Sequence, residues 1–235
     1  MTATLVHRFV ERAGTDGLVE ALRAGVRFVS RRSRRAAKRA KWRSRYHPRS
    51  VPDLERTYHL DPEGVDHAIW HDDLREHFGG KPSHDVLGGD WDLLKVPFEE
   101  TYIYHGLFAR FAEGKAWEGT EYYSVVRDAD HRPDDPVEYL RQYDELFEDM
   151  KENGFREDEP VVLHLGRDGE YIRHNGFHRL SMARILDLGS VPARVSLRHR
   201  RWQEVRDAVA RAGSSSELPD DEREHLGHPD LRNLV

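Results

Sequence analysis

The chain has 235 residues, of which 37% are hydrophobic and 34% are charged, and its formal net charge is −6. The absence of cysteine excludes disulfides, thiolate catalysis and cysteine-based zinc or iron–sulfur sites. No apolar run reaches membrane-spanning length, and no compact apolar stretch near the start is typical of a signal peptide. We therefore expect a cytoplasmic protein, with peripheral attachment to a membrane left open.

The charges are distributed unevenly along the chain. Residues 21–50 contain twelve Arg or Lys and no acidic residue, whereas acidic residues outnumber basic ones in the remainder. An acidic body that is poor in lysine suits a high-salt cytosol, where repulsion between carboxylates is screened. An ordinary acidic protein from a GC-rich genome is the alternative. In either case an acidic body disfavours broad contact with DNA.

Residues 1–50 are predicted to form a separate, basic and amphipathic N-terminal arm. Four apolar residues recur at helical spacing, namely Leu18, Leu22, Val26 and Val29. Arginines lie on another face of the same predicted helix. A basic amphipathic helix is typical of segments that bind anionic membranes, nucleic acid or acidic partners. We expect residues 16–45 to bind an anionic membrane surface, and a solvated charged extension is the alternative.

The middle of the chain has weaker patterns. Residues 51–85 are rich in Pro, Gly, Asp and His and are predicted to be an irregular linker, with a short helix near Asp66 to His77. Trp91 to Val96 is a candidate strand, and residues 101–113 have helical spacing. The glycines and aromatic residues of 114–123 are typical of a structured loop.

Residues beyond 133 have a clear alternation of helix and strand signals. Asp135 and Pro136 start a helix that Asn153–Gly154 ends, because acids cap helix starts and glycine ends helices. The predicted elements that follow are a strand at Val161–Leu165, a turn at Arg167–Gly169, a strand at Glu170–His174, a helix at Phe177–Leu188, a strand at Val191–Leu197 and a helix at Trp202–Ala212. Residues 213–235 are predicted to be a mobile polar tail.

The segment Asn175-Gly176-Phe177-His178-Arg179 lies where a predicted strand gives way to a helix. Unpaired backbone N–H groups at a helix N-terminus attract anions, and glycine lets a phosphate approach the backbone closely. An arginine in the first turn adds a forked donor, and a histidine adds a further donor. The pattern predicts a phosphate-binding turn; a simple turn with Arg179 paired to a carboxylate remains the alternative.

Tyr139 to His199 resembles the ParB/sulfiredoxin superfamily. The matching features are the helix end at Asn153-Gly154, then Glu159-Pro160-Val161-Val162, Asp168-Gly169-Glu170, Asn175-Gly176-Phe177-His178-Arg179-Leu180, Leu188-Gly189 and Val191-Pro192-Ala193-Arg194-Val195. The resemblance implies an α+β domain over residues 86–212, with a small mixed sheet and flanking helices. It further implies that Gly176, His178 and Arg179 hold nucleotide phosphates, usually with Mg²⁺, and that Asn175 helps to shape the turn. ATP, ADP and CTP are not distinguished.

Members of this family hydrolyse nucleotides, phosphorylate small substrates or bind DNA. This chain has no cysteine for sulfiredoxin chemistry and no evident helix-turn-helix after the turn. The kinases of the family use an acidic residue from an early part of the fold as a base. The candidates here are Asp90, Asp92, Glu99 and Glu100. Trp91 and Trp117 could stack on a base or sugar as a substrate wall, and core packing is the alternative.

The sequence therefore predicts a nucleotide-binding protein that transfers a phosphoryl group to a small substrate or hydrolyses the nucleotide. A non-catalytic, DNA-binding or regulatory protein is one alternative, and a peripheral membrane protein acting on surface-polymer intermediates is another. No transition-metal site is expected, because His174 and His178 lie on either side of a strand-to-helix break and have no convincing third ligand.

Overall fold

A computed structural model describes Ser33 and residues 36–53, 55–82, 85–131 and 133–234. The chain divides into two units, Met1–Pro52 and Asp53–Val235. In the first unit, residues 36–43 are helical, and the N–H of Tyr46 donates to the carbonyl oxygen of Trp42 just beyond the helix. The predicted apolar stripe from Leu18 to Val29 lies outside the described residues, so membrane binding by the arm stays a prediction.

The second unit is built on one mixed sheet with the strand order β1-β7-β5-β6-β2-β4 and with β3 also paired to β7. The strands are β1 (Tyr58–Leu60), β2 (His67–Ala68), β3 (Asp85–Leu87), β4 (Val96–Pro97), β5 (Val161–Leu165), β6 (Tyr171–Asn175) and β7 (Val191–His199). The central strands β5 and β7 are buried along most of their length. Near-continuous burial is expected of strands that are covered on both faces.

The pairings place early parts of the chain at the edges of this sheet. β5 and β7 pair in parallel and β5 and β6 form an antiparallel hairpin. The outer strands β1 and β3 both pair with β7, β1 antiparallel and β3 parallel, and β2 pairs in parallel with β6. Short strands of this kind depend on a neighbour that is already in place, because an isolated pair of strands is marginal in water.

The α-helices in the described part of the second unit are α1 (His71–His77), α2 (Tyr102–Phe111), α3 (Glu121–Asp128), α4 (Pro136–Asn153), α5 (Phe177–Ile185), α6 (Arg200–Arg211) and α7 (Asp220–Arg223). The side chain of Asp135 accepts hydrogen bonds from the N–H groups of Val137 and Glu138, which caps α4 where the sequence predicts a helix start. Gly106 allows α2 to approach α3, because a Cβ at this position would lie 2.2 Å from the Cβ of Tyr122.

The structure differs from the sequence-based expectation in the first half of the domain. Residues 51–85, expected to be an irregular linker, supply β1 and β2, whereas α1 lies within the short helix predicted near Asp66 to His77. Trp91–Leu94 is a 3-10 helix rather than a strand, and the expected loop near Thr120 continues into α3. Thr120 accepts a hydrogen bond from the N–H of Tyr123, which starts α3. These elements are too short to give a clear hydrophobic period.

The expectation of a mobile C-terminal tail is corrected by the packing of residues 213–234. Leu218, Leu231 and Leu234 are buried in the main core. Asp230 is fully buried, accepting hydrogen bonds from the hydroxyl of Tyr58 at 2.6 Å, Nη2 of Arg198 at 2.5 Å and Nε1 of Trp202 at 3.0 Å. The packing of this segment depends on one carboxylate and three leucines. The mostly polar composition of residues 213–235 therefore does not predict it.

The prediction of an α+β fold with a mixed sheet and flanking helices is confirmed at that level. In the part of the chain that the structure describes, no helix is both long enough and apolar enough to cross a membrane.

Candidate anion-binding site

The turn from β6 to α5 has the geometry that an anion-binding turn requires. Gly176 lies in the left-handed region with φ +84 and is the N-cap of α5, without a side-chain cap. Its own N–H is held by the side-chain oxygen of Asn175 at 2.7 Å. A pocket of about 440 Å³ opens on this turn and is lined by all five residues from Asn175 to Arg179. The N–H groups in the first turn of α5 can therefore act as donors to a ligand.

Arg179 is held beside this pocket by Glu159. Its Nη1 donates to the main-chain oxygen of Glu159 and lies 3.2 Å from Oε2 of the same residue. Its guanidinium also lies 5.6 Å from the centre of the Phe155 ring. Arg179 lies in the first turn of α5, as the sequence predicts, and its ion pair with Glu159 is the carboxylate pairing that the alternative interpretation of this turn expects.

His178 is fixed in orientation by two tyrosines. Its Nε2 lies 2.8 Å from the hydroxyl of Tyr122, and its ring stacks on Tyr143 with the centroids 4.1 Å apart. Burial, together with the nearby charge of Arg173, lowers the pKa of His178 to about 4. The imidazole is therefore neutral at pH 7 and can contribute a hydrogen bond, not a charge, to a ligand.

Arg173 is a pocket residue that the sequence analysis does not single out. It lies on β6, is 4% exposed, and its guanidinium carbon is 4.0 Å from the centre of the Phe177 ring. Nη1 donates to the carbonyl oxygen of His174 at 2.9 Å. Nε and Nη2 are buried and have no hydrogen-bond partner among the described residues.

The charge of Arg173 has no carboxylate partner in the described parts of the chain. Burial lowers its pKa to about 9, so the side chain remains a cation at neutral pH. Buried charges in folded proteins are normally paired, because an unpaired one is costly. A buried cation that lines a pocket without a counter-charge indicates a place for an anion. The signal available in the sequence is an arginine within a predicted strand, three residues before Gly176.

The remaining walls of the pocket are largely aromatic and aliphatic. They include Trp70, Ile103, Tyr143, Leu146 and Phe177. Trp70 stacks between Tyr102 and Phe177, with ring centroids at 5.5 and 5.8 Å. The pocket therefore combines the cationic side chain of Arg173 with mainly apolar and aromatic lining residues. This is the usual composition of a pocket for a small organic ligand.

The four candidate catalytic carboxylates do not line this pocket. Asp92 is fully buried and accepts from the backbone N–H and the guanidinium of Arg167, at 2.8 to 2.9 Å. Asp90 is exposed and also pairs with Arg167. Glu99 approaches the buried Arg184 at 3.4 Å, and Glu100 is exposed on the surface. The geometry assigns Asp92 to an ion pair that joins the β5–β6 turn to the 3-10 helix.

The two predicted substrate-wall tryptophans also lie away from the pocket. Trp91 is fully buried in a small cluster that includes Ile69, Leu74 and Ile172. Trp117 is buried against Phe111, and its Nε1 donates to Asp144 at 3.0 Å. Both side chains follow the alternative of core packing, and the aromatic residues that line the pocket include Trp70 and Tyr143 instead.

The lining residues do not fit Mg²⁺, which the family resemblance implies. Mg²⁺ needs oxygen ligands in near-octahedral geometry, commonly one or two carboxylates. Asp72 is the one carboxylate among the described lining residues, and it is exposed and paired with Arg75. Among the described residues, no group of three His, Asp or Glu is arranged to hold a metal ion. The pocket instead offers arginine, imidazole and backbone N–H groups.

Acidification should destabilise the fold through buried histidines. The pKa of His178 and that of His228 are each lowered from 6.5 to about 4, chiefly by burial. The unfolded chain therefore takes up protons at a higher pH than the folded chain, so stability is complete above about pH 6.5 and falls towards pH 4. Each shift of this size corresponds to roughly 3 kcal/mol. Urea unfolding at a series of pH values measures the slope.

The His178→Gln variant should lose part of that slope, because the amide does not titrate but can still hydrogen-bond to Tyr122. Equal slopes for wild type and His178→Gln between pH 6.5 and 4 would contradict the burial of a neutral His178.

The fold and pocket define an α+β protein with a candidate anion-binding site at a strand-to-helix turn. Comparisons with protein-family models, curated proteins and solved structures found no match to this chain.

Proposed function

We propose that this protein binds a phosphorylated ligand of the nucleotide class in the pocket at the β6–α5 turn. The observation that carries the proposal is the buried guanidinium of Arg173, whose Nε and Nη2 have no partner among the described residues. An anion bound there would supply the missing counter-charge and the missing hydrogen bonds. Such charge-assisted hydrogen bonds are about twice as strong as neutral ones.

The first turn of α5 supports a phosphate as that anion. The Arg173 guanidinium lies over the ring of Phe177, which is the first residue of α5. The buried cation and the uncapped helix N-terminus therefore act on the same region of the pocket. Phosphate suits this combination, because it has several acceptor oxygens and more than one negative charge at neutral pH.

The pocket walls support a ligand with an apolar or planar portion. The volume of about 440 Å³ exceeds the need of a bare phosphate and lies in the range of small-molecule pockets. Half-buried Trp70 and Tyr143 offer aromatic surface, on which a nucleobase can stack. The proposed kinship with the ParB/sulfiredoxin superfamily points to the same ligand class, through the turn Gly176–Arg179.

The proposal is one of binding. Turnover needs a base within reach of the reacting group, and Asp90, Asp92, Glu99 and Glu100 lie outside the lining of the pocket. DNA binding and membrane binding by the basic arm remain separate predictions, because the apolar stripe lies outside the described residues.

Thermal unfolding in the presence of nucleotides tests the proposal. A ligand that binds only the folded state raises the midpoint of unfolding, by an amount that grows with its concentration. We expect at least one of the mono-, di- and triphosphates of adenosine, cytidine and guanosine to raise it. Sodium chloride at matched ionic strength is the control. If every nucleotide, with or without magnesium, has the effect of the salt alone, the proposal is wrong.

Glu159→Gln should increase the affinity for the phosphorylated ligand by about threefold. The carboxylate of Glu159 is half-exposed and competes with the ligand for Arg179, and partly exposed ion pairs contribute roughly 0.2–1 kcal/mol. The main-chain oxygen of residue 159 still accepts from Arg179 in the variant, so the arginine keeps its position. Isothermal titration measures the change.

Glu157→Gln is the matched control for Glu159→Gln, because Glu157 is also exposed but pairs with His59, away from the pocket lining. It should leave the affinity unaltered. A lower affinity in Glu159→Gln than in wild type would mean that Arg179 does not contact the ligand.

A further inference from the structure

The free donors of Arg173 lie on a single edge of its guanidinium. Nη1 is used by the carbonyl oxygen of His174, which leaves Nε and Nη2. These two N–H groups point in parallel and match the spacing of two oxygens on one phosphate or carboxylate. Phe177 covers one face of the guanidinium, with Trp70 5.5 Å away. Nε and Nη2 have almost no solvent-accessible area, so a ligand reaches them only when the neighbouring side chains shift, and the edge then matches one compact oxyanion.

The charges around the pocket set a limit on the charge of the ligand. Arg173 is the uncompensated cation among the described lining residues, Arg179 is partly neutralised by Glu159, and His178 is neutral. The N-terminus of α5 adds a partial positive charge of roughly one half. A phosphate monoester with nearly two negative charges is well matched by this set. A triphosphate carries about twice that charge and needs further cations.

A metal ion would normally supply this further positive charge, but the described lining has few side chains that could coordinate one. Asp72 is exposed and paired with Arg75, and the other polar side chains of the described lining are arginines, histidines, Asn175 and Tyr143, none of which is a carboxylate. An arginine with a free, buried edge would repel Mg²⁺ from the same region. The residues present therefore favour direct contact between the phosphate and the protein.

We propose that the pocket takes the terminal phosphate of a phosphate monoester, such as a nucleoside monophosphate, with Arg173 as its bidentate partner and without a metal ion. This inference rests on the proposed function and narrows its ligand class. A carboxylate satisfies the edge of Arg173 equally well but leaves the donors of the α5 N-terminus with less negative charge. The phosphate enters as a dianion and leaves unchanged, so no covalent step is involved.

Isothermal titration of the full chain compares adenosine, cytidine, guanosine and uridine monophosphates with the matching triphosphates, each in EDTA and in excess magnesium. Ribose 5-phosphate, inorganic phosphate and benzoate complete the set. We expect one monophosphate to bind at least tenfold more tightly than its triphosphate in magnesium, with the same affinity in EDTA. Benzoate should bind more weakly than that monophosphate.

Two variants of Arg173 separate its geometry from its charge. Arg173→Met should lower the affinity for the monophosphate by at least a hundredfold. Arg173→Lys keeps a cation but loses the fork, so it should lower the affinity by about tenfold or more. Circular dichroism and urea unfolding of both variants verify that they are folded. Arg194→Met, at a half-buried arginine on β7 outside the pocket lining, is the control and should bind as wild type does.

The outcomes that contradict this inference differ from those that contradict nucleotide binding itself. Tighter binding of a magnesium triphosphate, tighter binding of benzoate, or unchanged monophosphate binding in folded Arg173→Met would overturn the monoester assignment. The first of these results would leave nucleotide binding intact. Failure of every phosphate compound to bind wild type would overturn the proposed function, and the monoester assignment with it.

Discussion

Arg173→Met should weaken ligand binding by at least a hundredfold while leaving the fold as stable as wild type, or more stable by on the order of 1 kcal/mol. Arg173 is 4% exposed and has two N–H donors without a described partner, so the ligand-free fold bears the cost of burying its charge. Methionine fills much of the same space and can pack against Phe177 and Trp70. Urea unfolding and isothermal titration on the same samples measure the two effects.

Arg198→Met provides the matched control, because Arg198 is also buried in the sheet but is paired. Its Nη2 lies 2.5 Å from Oδ1 of the fully buried Asp230. Removing one partner of a buried pair typically costs about 3–5 kcal/mol. The two substitutions should therefore change stability in different ways, although they delete the same chemical group. A large loss of stability in Arg173→Met would show that its guanidinium supports the fold rather than a ligand.

Asp230→Ala should lower the free energy of unfolding by about 3–5 kcal/mol. The carboxylate accepts from Tyr58, Arg198 and Trp202, and the nearby arginines hold its pKa well below the usual range for aspartate despite burial. Its loss leaves two buried arginines, Arg198 and Arg206, with less counter-charge. Urea denaturation followed by tryptophan fluorescence measures the change, because Trp202 is one of the partners.

Asp220→Ala is the control for this experiment. Asp220 belongs to the same C-terminal segment, but it is exposed and its ion pair with Arg223 is on the surface. Exposed pairs contribute roughly 0.2–1 kcal/mol, so the loss should be small. If Asp230→Ala were as mild as Asp220→Ala, the docking of the C-terminal segment would not depend on the buried carboxylate.

The second half of the fold follows closely from local sequence signals. Asp135 and Gly154 bound α4 as predicted, and β5 has the predicted bounds Val161–Leu165. The bounds of these elements are determined by a capping residue, a terminating glycine or an apolar run, each of which acts on residues close to it in the sequence. The predicted helix from Phe177 to Leu188 is shorter in the structure, because α5 ends at Ile185 and Asp187 takes a positive φ of 51°. Helix ends are set by such single residues.

The first half of the domain could not be predicted in the same way. β1, β2 and β4 have two or three residues each, so alternation of polar and apolar side chains cannot be detected in them. β1 and β2 become strands because β7 and β6 offer unpaired backbone groups more than a hundred residues later in the chain, and β4 pairs in turn with β2. The buried position of Asp230 is also a tertiary effect, since its partners lie on β1, β7 and α6.

In the pocket, too, the residues of the turn can be predicted from their immediate neighbours, whereas the other lining residues depend on the tertiary fold. The turn at Gly176 and the positions of His178 and Arg179 follow from a glycine between a strand and a helix. The sequence does not identify Arg173 as a ligand-binding residue. Whether a buried arginine has a carboxylate partner depends on the tertiary fold. The sequence predicts Trp91 and Trp117 as the aromatic wall, whereas the lining contains Trp70 and Tyr143, which lie well before the turn in the sequence.

The order of strands in the sheet determines when the sheet can form during translation. β5, β6 and β7 form the centre, yet they lie after residue 160, whereas the strands at the periphery are synthesised first. β1 and β3 therefore leave the ribosome long before β7, their only partner in the described sheet, has been translated. The sheet cannot be completed until β7 has been translated, and until then the apolar residues of β1 and β3 stay accessible to chaperones or to other nascent chains.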